Sequence, residues 1–317
     1  MTLAFVFPGQ GSQSVGMLAA LAAAEPVVQQ TFDEASSVLG YDLWSLCQQG
    51  PQAELGATEN TQPAMLAAGV ATWRVWLQHG GPRPVAMAGH SLGEYTALVC
   101  SQALDFRVAV DLVRFRGRAM QSAVPLGEGA MAAVLGLDDM ELAAACQEAA
   151  QGQVVEPVNF NAPGQVVIAG HAAAVARAIE AAKVRGAKRA MALPVSVPSH
   201  SSLMTGAADQ LAARLVAIEL RVPEVPAVYT VDVQMHQSPD GIRRALREQI
   251  FKPVRWADTV RAMIASGVTT FVECGPGRVL TSLGKRIERR PELRMMSIDD
   301  PDSLAAALAA ARENQHA

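Results

Sequence analysis

The stretch Gly89-His90-Ser91-Leu92-Gly93 sets a serine between two small residues, directly after the apolar run Pro84-Val85-Ala86-Met87-Ala88. That run has the length and character of a buried strand, and Leu92 to Gln102 is rich in helix formers. A Gly-x-Ser-x-Gly between strand and helix is the sequence form of a nucleophile elbow, a turn so sharp that the serine hydroxyl stands clear of the sheet. The helix start beyond it would offer free N–H groups to a developing oxyanion. A simpler reading competes. Ser91 and Glu94 also spell Ser-x-x-Glu, a capping box that starts a helix with no chemistry. Capping gives no reason for glycines on both sides of the serine.

Three further groups could serve such a nucleophile. The loop Pro8-Gly9-Gln10-Gly11-Ser12-Gln13 follows the apolar strand Leu3 to Phe7 and could bring backbone N–H groups against an anion, or be an ordinary tight turn. It lacks the Gly-Lys-Ser/Thr of a phosphate-binding loop. His200, in Val197-Pro198-Ser199-His200-Ser201-Ser202, sits in a loop where two units of the chain meet, though a lone loop histidine is more often surface polar. In the helical segment Phe106 to Ala123, Arg116 shares a stripe with Ala109, Leu112, Val113, Met120 and Ala123, while Asp111, Arg114, Arg118 and Ser122 fall on the polar face, where Asp111 and Arg114 or Arg118 would be neighbours in solvent. A guanidinium on an apolar stripe costs several kcal/mol unless an anion meets it. It snorkels, pairs with a structural carboxylate, or waits for an acidic ligand.

These residues need a scaffold. The chain has 317 residues, half of them hydrophobic and few aromatic, enough for two structural units with an aliphatic core. Two helices, Pro26 to Leu39 and Thr61 to His79, are expected between the first strand and the elbow strand, and strand–helix alternation argues for a parallel sheet covered on both faces. From Gly129 the rhythm becomes β-α-β-β-α-β: strands Ala130 to Leu135, Val154 to Phe160, Gln165 to Ala169 and Arg189 to Val195, with helices Asp138 to Ala150 and Ala172 to Arg185. Afterwards come helices from Leu203, Asp240, Trp256, Val279 and Ser303, and strands Ala227 to Val231 and Thr269 to Val272. The expected fold is α/β: a large α/β-hydrolase-like domain (1–126 and 197–317) with a parallel sheet, and a small ferredoxin-like domain (127–196) inserted in it.

Bulk properties exclude several classes. A formal net charge of −4 argues against nucleic-acid binding, and no run of about 18 apolar residues predicts a membrane span. The start of the chain lacks the basic region of a signal peptide, so a cytoplasmic protein is the default. Cys47, Cys100, Cys146 and Cys274 have no metal-ligand spacing, and most of them read as buried, reduced thiols; no metal site is expected.

Six segments together resemble the malonyl-CoA:acyl carrier protein transacylases of bacterial fatty acid synthesis. They are Phe7 to Gln13, Gly89 to Tyr95, Arg116-Gly117, Asn159 to Gln165, Pro198-Ser199-His200 and Glu273-Cys274-Gly275-Pro276-Gly277, in the family's order across nearly the whole chain. The resemblance implies that Ser91 is the acylated nucleophile, His200 its general base and Gln249 the residue whose backbone carbonyl holds the histidine ring. It implies an oxyanion hole from the N–H groups of Gln10 and Leu92, and an Arg116 that grips the free carboxylate of malonyl. No cofactor is implied. The substrates would be malonyl-CoA and the phosphopantetheine thiol of holo-acyl carrier protein, coenzyme A being released, and a monomer is expected. The carrier is acidic in that family, so a basic rim is expected at Lys188, Arg189, Lys285 and Arg286, with Lys183, Arg185 and Arg278 beside them, unless these form an ordinary solvated face. The sequence departs from the family at Tyr229-Thr230, where asparagine is common, and at Cys274, where an aliphatic residue is common. The rival readings are a serine esterase or thioesterase and a non-catalytic carrier-binding scaffold.

Overall fold

The computed structural model of the protein describes residues 2–195 and 197–313. Ser196, at the expected domain boundary, and the tail histidine His316 lie outside the described residues.

Ten strands fall into two sheets: β1 (Leu3–Phe7), β2 (Ala86–Gly89), β3 (Gly129–Leu135), β4 (Val155–Ala162), β5 (Gln165–His171), β6 (Arg189–Ala192), β7 (Ala227–Tyr229), β8 (Gln234–Met235), β9 (Thr270–Cys274) and β10 (Arg294–Ile298). The larger sheet has the order β10-β9-β1-β2-β7-β8. Its first five strands run parallel and β8 closes the edge as an antiparallel hairpin with β7. Every residue of β1, β2 and β9 is buried, as expected for strands with helices on both faces. The smaller sheet, β4-β5-β3-β6, is antiparallel throughout. Helices Asp139–Ala150 and Ala172–Val184 lie against it, over a core that includes Val134, Leu142, Ile168 and Val175.

The sequence reading placed these elements to within a few residues and missed others. Five helices, not two, separate β1 from β2: Ala19–Ala24, Pro26–Leu39, Leu43–Gln49, Gln52–Leu55 and Thr58–Gln78. The three unforeseen ones have four to seven residues, too few for a 3.6-residue period to show. Helix Thr58–Gln78 begins three residues before its expected start and carries Pro63 in its first turns. Strand β10 went unread because Arg294 and the half-exposed Met295 and Met296 do not look like a buried run. On helix Phe106–Ser122 the polar arginines do not pair with Asp111 along the helix. Arg114 donates to the Leu39 carbonyl at 2.8 Å, Arg118 pairs with Glu59 at 2.7 Å, and Asp111 pairs with Arg214. Tertiary partners displaced the local one.

The carboxyl ends of the parallel strands gather the loops that matter, the usual place for a site in an open α/β sheet. There the Pro8–Gln13 loop follows β1, the elbow follows β2 and Thr230 follows β7. Residues Val197 to Ser201 lead into the short 3₁₀ turn Ser202–Met204. Pairing of Phe160 N–H with the Val254 carbonyl at 3.0 Å, and of Val254 N–H with Val158 at 2.8 Å, joins the smaller sheet to the region beside the larger one.

Candidate active site

The elbow forms because only glycine fits its two flanks. A Cβ at Gly89 would lie 1.9 Å from the backbone carbon of Gly93, and one at Gly93 would lie 2.0 Å from the Phe7 carbonyl oxygen. The neighbouring loop is locked on in the same way: a Cβ at Gly9 would meet the His90 carbonyl at 2.5 Å, and His90 N–H donates to the Phe7 carbonyl at 2.9 Å. Ser91 sits between these contacts at φ 53°, a left-handed conformation that costs a non-glycine residue on the order of 1–3 kcal/mol. The capping box does not form. Helix Gly93–Cys100 has no side-chain cap, and the Glu94 carboxylate points away from the helix start.

Ser91 Oγ lies 2.8 Å from His200 Nε2. The other ring nitrogen, Nδ1, lies 2.6 Å from the backbone carbonyl of Gln249. A carbonyl oxygen only accepts, so Nδ1 carries the ring proton and Nε2 is free to take the serine's. His200 is also left-handed, at φ 66°, and 3% exposed. Burial, and then the Arg116 charge, push its pKa down to about 3. The imidazole is therefore neutral at physiological pH, as a base must be before it accepts a proton.

Arg116 reaches the same point from helix Phe106–Ser122. Its Nη2 donates to Ser91 Oγ at 3.2 Å and to the Gln249 side-chain oxygen at 2.9 Å, and the guanidinium stands over the Tyr95 ring, 5.4 Å from its centre. The side chain is 2% exposed, yet Nε has no hydrogen-bond partner and none of the ion pairs among the described residues includes it. Burial lowers its pKa. A buried guanidinium without a contacting carboxylate leaves donor capacity for a ligand.

Gln249, at the end of helix Pro239–Gln249, bonds to Ser91, His200, Arg116 and Glu94. Beyond the His200 and Arg116 contacts, its Nε2 donates to the Ser91 carbonyl at 2.7 Å and to Glu94 Oε2 at 2.6 Å. Glu94 Oε1 accepts from both the N–H and the hydroxyl of Thr230, each at 2.7 Å. Threonine at this departure from the common asparagine thus makes polar contacts of its own. Burial raises the Glu94 carboxyl to about 7, against the opposing pull of the Thr230 and Gln249 hydrogen bonds and the Arg116 charge.

The remaining expected residues divide. Leu92 follows the serine and Gln10 follows Gly9, on the two loops stitched together by Gly9 and Gly93, and neither backbone N–H has an acceptor among the described residues. Lys188, Arg189, Lys285 and Arg286 are all exposed. Arg286 donates to Gln165 at 2.8 Å, and Gln165 and Arg189 both pair with Leu135 from opposite sides, so these basic residues share one end of the smaller sheet. Of the outer group, Arg185 is paired with Glu141 and Glu148, Lys183 with Glu180, and Arg278 with Asp299 and Asp300. All four cysteines are buried and unbridged, and the Cys274 thiol contacts the Gly69 carbonyl at 3.5 Å.

Sequence reasoning missed Glu94, Thr230 and the link from His90 Nε2 to Asn161 Oδ1 at 2.8 Å. Glu94 carried one signal: it is the single charge in an otherwise uncharged helix, and the capping-box spacing supplied a local explanation for it.

A serine in a strand–helix elbow, hydrogen-bonded to a neutral buried histidine and beside a guanidinium with an open donor, has the groups that acyl transfer calls for. A sequence model of the family described as acyl transferase domain matches residues 4–298. The chain is 59% identical over 305 residues to the malonyl CoA-acyl carrier protein transacylase of Escherichia coli K12, covering 96% of this chain and 98% of that one. It is 43% identical over 312 residues to the one from Bacillus subtilis, with 98% of each covered. Among solved structures, a malonyl-transacylase in complex with a type II polyketide synthase acyl-carrier protein superposes with a TM-score of 0.96 at 57% identity, over 98% of this chain and 100% of that one. An acyl carrier protein S-malonyltransferase from Vibrio cholerae superposes with a TM-score of 0.93 at 55% identity, over 96% and 99%. The chain belongs to the malonyl-CoA:acyl carrier protein transacylase family and is an acyltransferase.

Proposed function

We propose that the protein transfers malonyl from malonyl-CoA to the phosphopantetheine thiol of holo-acyl carrier protein through a malonyl-Ser91 intermediate, supplying fatty acid elongation. Ser91 Oγ attacks the thioester carbonyl while its proton passes to His200 Nε2. The tetrahedral oxyanion is held by the N–H groups of Gln10 and Leu92. Its collapse breaks the C–S bond, and coenzyme A leaves with the proton from His200. In the second half the carrier thiol gives its proton to His200 and attacks the ester, and Ser91 leaves with that proton. The Gln249 carbonyl keeps the imidazole in the required tautomer throughout, the task an aspartate performs in a catalytic triad.

The observation that carries the substrate choice is Arg116: a guanidinium 2% exposed, 3.2 Å from the nucleophile, with no ion pair to a carboxylate among the described residues. A planar fork so placed suits the free carboxylate of a malonyl group and offers nothing to acetyl. The test supplies malonyl-, methylmalonyl- and acetyl-CoA with holo-carrier or with water alone. Malonyl carrier forming far faster than free malonate supports transfer; equal rates favour the thioesterase reading.

For the carrier, the exposed Lys188, Arg189, Lys285 and Arg286 offer positive charge to an acidic partner. The β-α-β-β-α-β order and the strand order β4-β5-β3-β6 support reading residues 127–196 as a ferredoxin-like insertion in an α/β-hydrolase-like domain formed by 1–126 and 197–317. No helix of the described residues is long and apolar enough to cross a membrane. We place the reaction in the cytoplasm, carried out by a monomer without a nucleic-acid partner.

A further inference from the structure

We propose that Glu94 is a positioning residue for the malonyl-binding arginine: braced by Thr230, its carboxylate turns the Gln249 side-chain amide so that the amide oxygen faces Arg116. This rests on the reading of Arg116 given above and extends it by one layer.

The argument is one of donors and acceptors. An amide can be set in either of two orientations, and its surroundings decide. Gln249 has three neighbours at its amide: the Ser91 carbonyl and Glu94 Oε2, which accept, and Arg116 Nη2, which only donates. Nitrogen towards the first two and oxygen towards the arginine is the one orientation that satisfies all three. All of these groups are buried, with Glu94 2%, Gln249 1% and Thr230 0% exposed, so water cannot replace a lost partner. Glu94 can accept on both oxygens because Oε1 is taken up by the Thr230 N–H and hydroxyl while Oε2 is left for Gln249. Glu94 is linked to Arg116 through Gln249 without an ion pair between them, so the guanidinium stays open to an incoming carboxylate.

A structural acid would behave differently. Glu94 stands in the first turn of its helix, where a carboxylate favours the dipole or caps an N–H, yet it spends neither oxygen on the helix. Its hydrogen bonds run to residues 136 and 155 positions away.

Glu94→Gln separates the two roles because it keeps the shape and changes one acceptor into a donor. Whichever way the new amide turns, it faces either the Thr230 N–H or Gln249 Nε2 with a second donor. If Gln249 flips to accept, its own N–H₂ then confronts Arg116 and displaces the guanidinium. Two rates are read on the full-length enzyme: kcat/KM with malonyl-CoA, and Ser91 acylation by p-nitrophenyl acetate, a neutral ester that needs Ser91 and His200 but no carboxylate grip. The malonyl-to-ester ratio is expected to fall about 10- to 100-fold, the range of a lost buried hydrogen bond to a charged group. Thr230→Ser, which keeps both donors, should hold the ratio within about twofold.

A ratio within about threefold of the parent's in Glu94→Gln, whatever the total loss, overturns the proposal, since a general structural role lowers both rates together. Should Glu94→Gln fail to fold, Thr230→Val removes only the bracing hydroxyl; a drop in ratio of about threefold to tenfold supports the proposal and an unchanged ratio overturns it. Arg116→Ala is run beside them. An unchanged ratio there sinks the Arg116 reading and this inference with it. A selective loss in Arg116→Ala without one in Glu94→Gln sinks this inference alone.

Discussion

The two sheets of this molecule treat polar groups in opposite ways. Between Gly129 and Ala192, around the smaller sheet, no polar or charged residue is buried whole, Asn159 Oδ1 being a lone buried polar atom; the core is Ala, Val, Leu, Ile, Met and Cys, and its ion pairs, such as Arg185 with Glu141 and Glu148, sit in solvent. At the carboxyl ends of the larger sheet, Glu94, Arg116, His200, Thr230 and Gln249 are all buried and joined to Ser91. The first arrangement follows from hydrophobic burial alone. The second links buried donors and acceptors across several residues while leaving the Arg116 Nε–H open, and it holds two of the left-handed non-glycine residues, Ser91 and His200. In the second unit the left-handed Gln151 only ends helix Asp139–Ala150, whereas Ser91 and His200 are left-handed where their side chains meet at 2.8 Å.

The contrast is sharpest where it can be broken. Ser91→Ala should lower malonyl transfer by about a thousandfold or more, and His200→Ala by about 10²- to 10⁴-fold, as measured by steady-state transfer to holo-carrier. Arg116→Ala should cost malonyl-CoA about 100-fold while sparing a neutral acyl donor; equal losses for both would make Arg116 structural. In the other region, Leu142→Ala should reduce unfolding free energy by about 2–5 kcal/mol in denaturant titration yet leave the malonyl-to-acetyl ratio unchanged. Reversing charge at Lys188 and Arg189 together should raise KM for the carrier about threefold to tenfold and leave KM for malonyl-CoA alone; no change in either removes them from the carrier surface.

The buried histidine also fixes a sign for pH dependence. His200 has a pKa near 3 in the folded protein, against an ordinary value of 6.5. Within that window the unfolded chain takes up a proton that the native state refuses, so this residue's contribution to stability falls as pH falls from 6.5. Glu94, raised to about 7 from 4.5, acts in the opposite sense, so that its contribution is lost as pH rises through that interval. Comparing the parent with His200→Ala at pH 7 and pH 5 isolates the first: the variant should lose less stability on acidification.

Much of this was legible in the sequence, for physical reasons that differ by residue. The elbow was visible because a Cβ at 89 or 93 would come within 1.9 or 2.0 Å of neighbouring backbone, which forces glycine there. Arg116 stood out because a charge on an apolar stripe breaks helical periodicity. The smaller sheet could be read strand by strand because its elements are long enough to show a period. The short helices after β1 could not, and β10 lacks an apolar pattern. Gln249 came through the family resemblance, since a role played by a backbone carbonyl leaves no mark on residue type. Glu94 stayed hidden behind a local explanation, because Thr230 and Gln249 come to it only through tertiary folding.

The central claim is that Ser91, activated by His200, accepts malonyl in preference to a neutral acyl group because Arg116 stands beside it. Mass spectrometry of the protein after brief exposure to equimolar malonyl- and acetyl-CoA, without carrier, tests it most directly. The account predicts a malonyl adduct on the peptide bearing Ser91, little acetyl adduct, and neither in Ser91→Ala. Equal acetyl and malonyl labelling of Ser91, or labelling that survives Ser91→Ala, would contradict it.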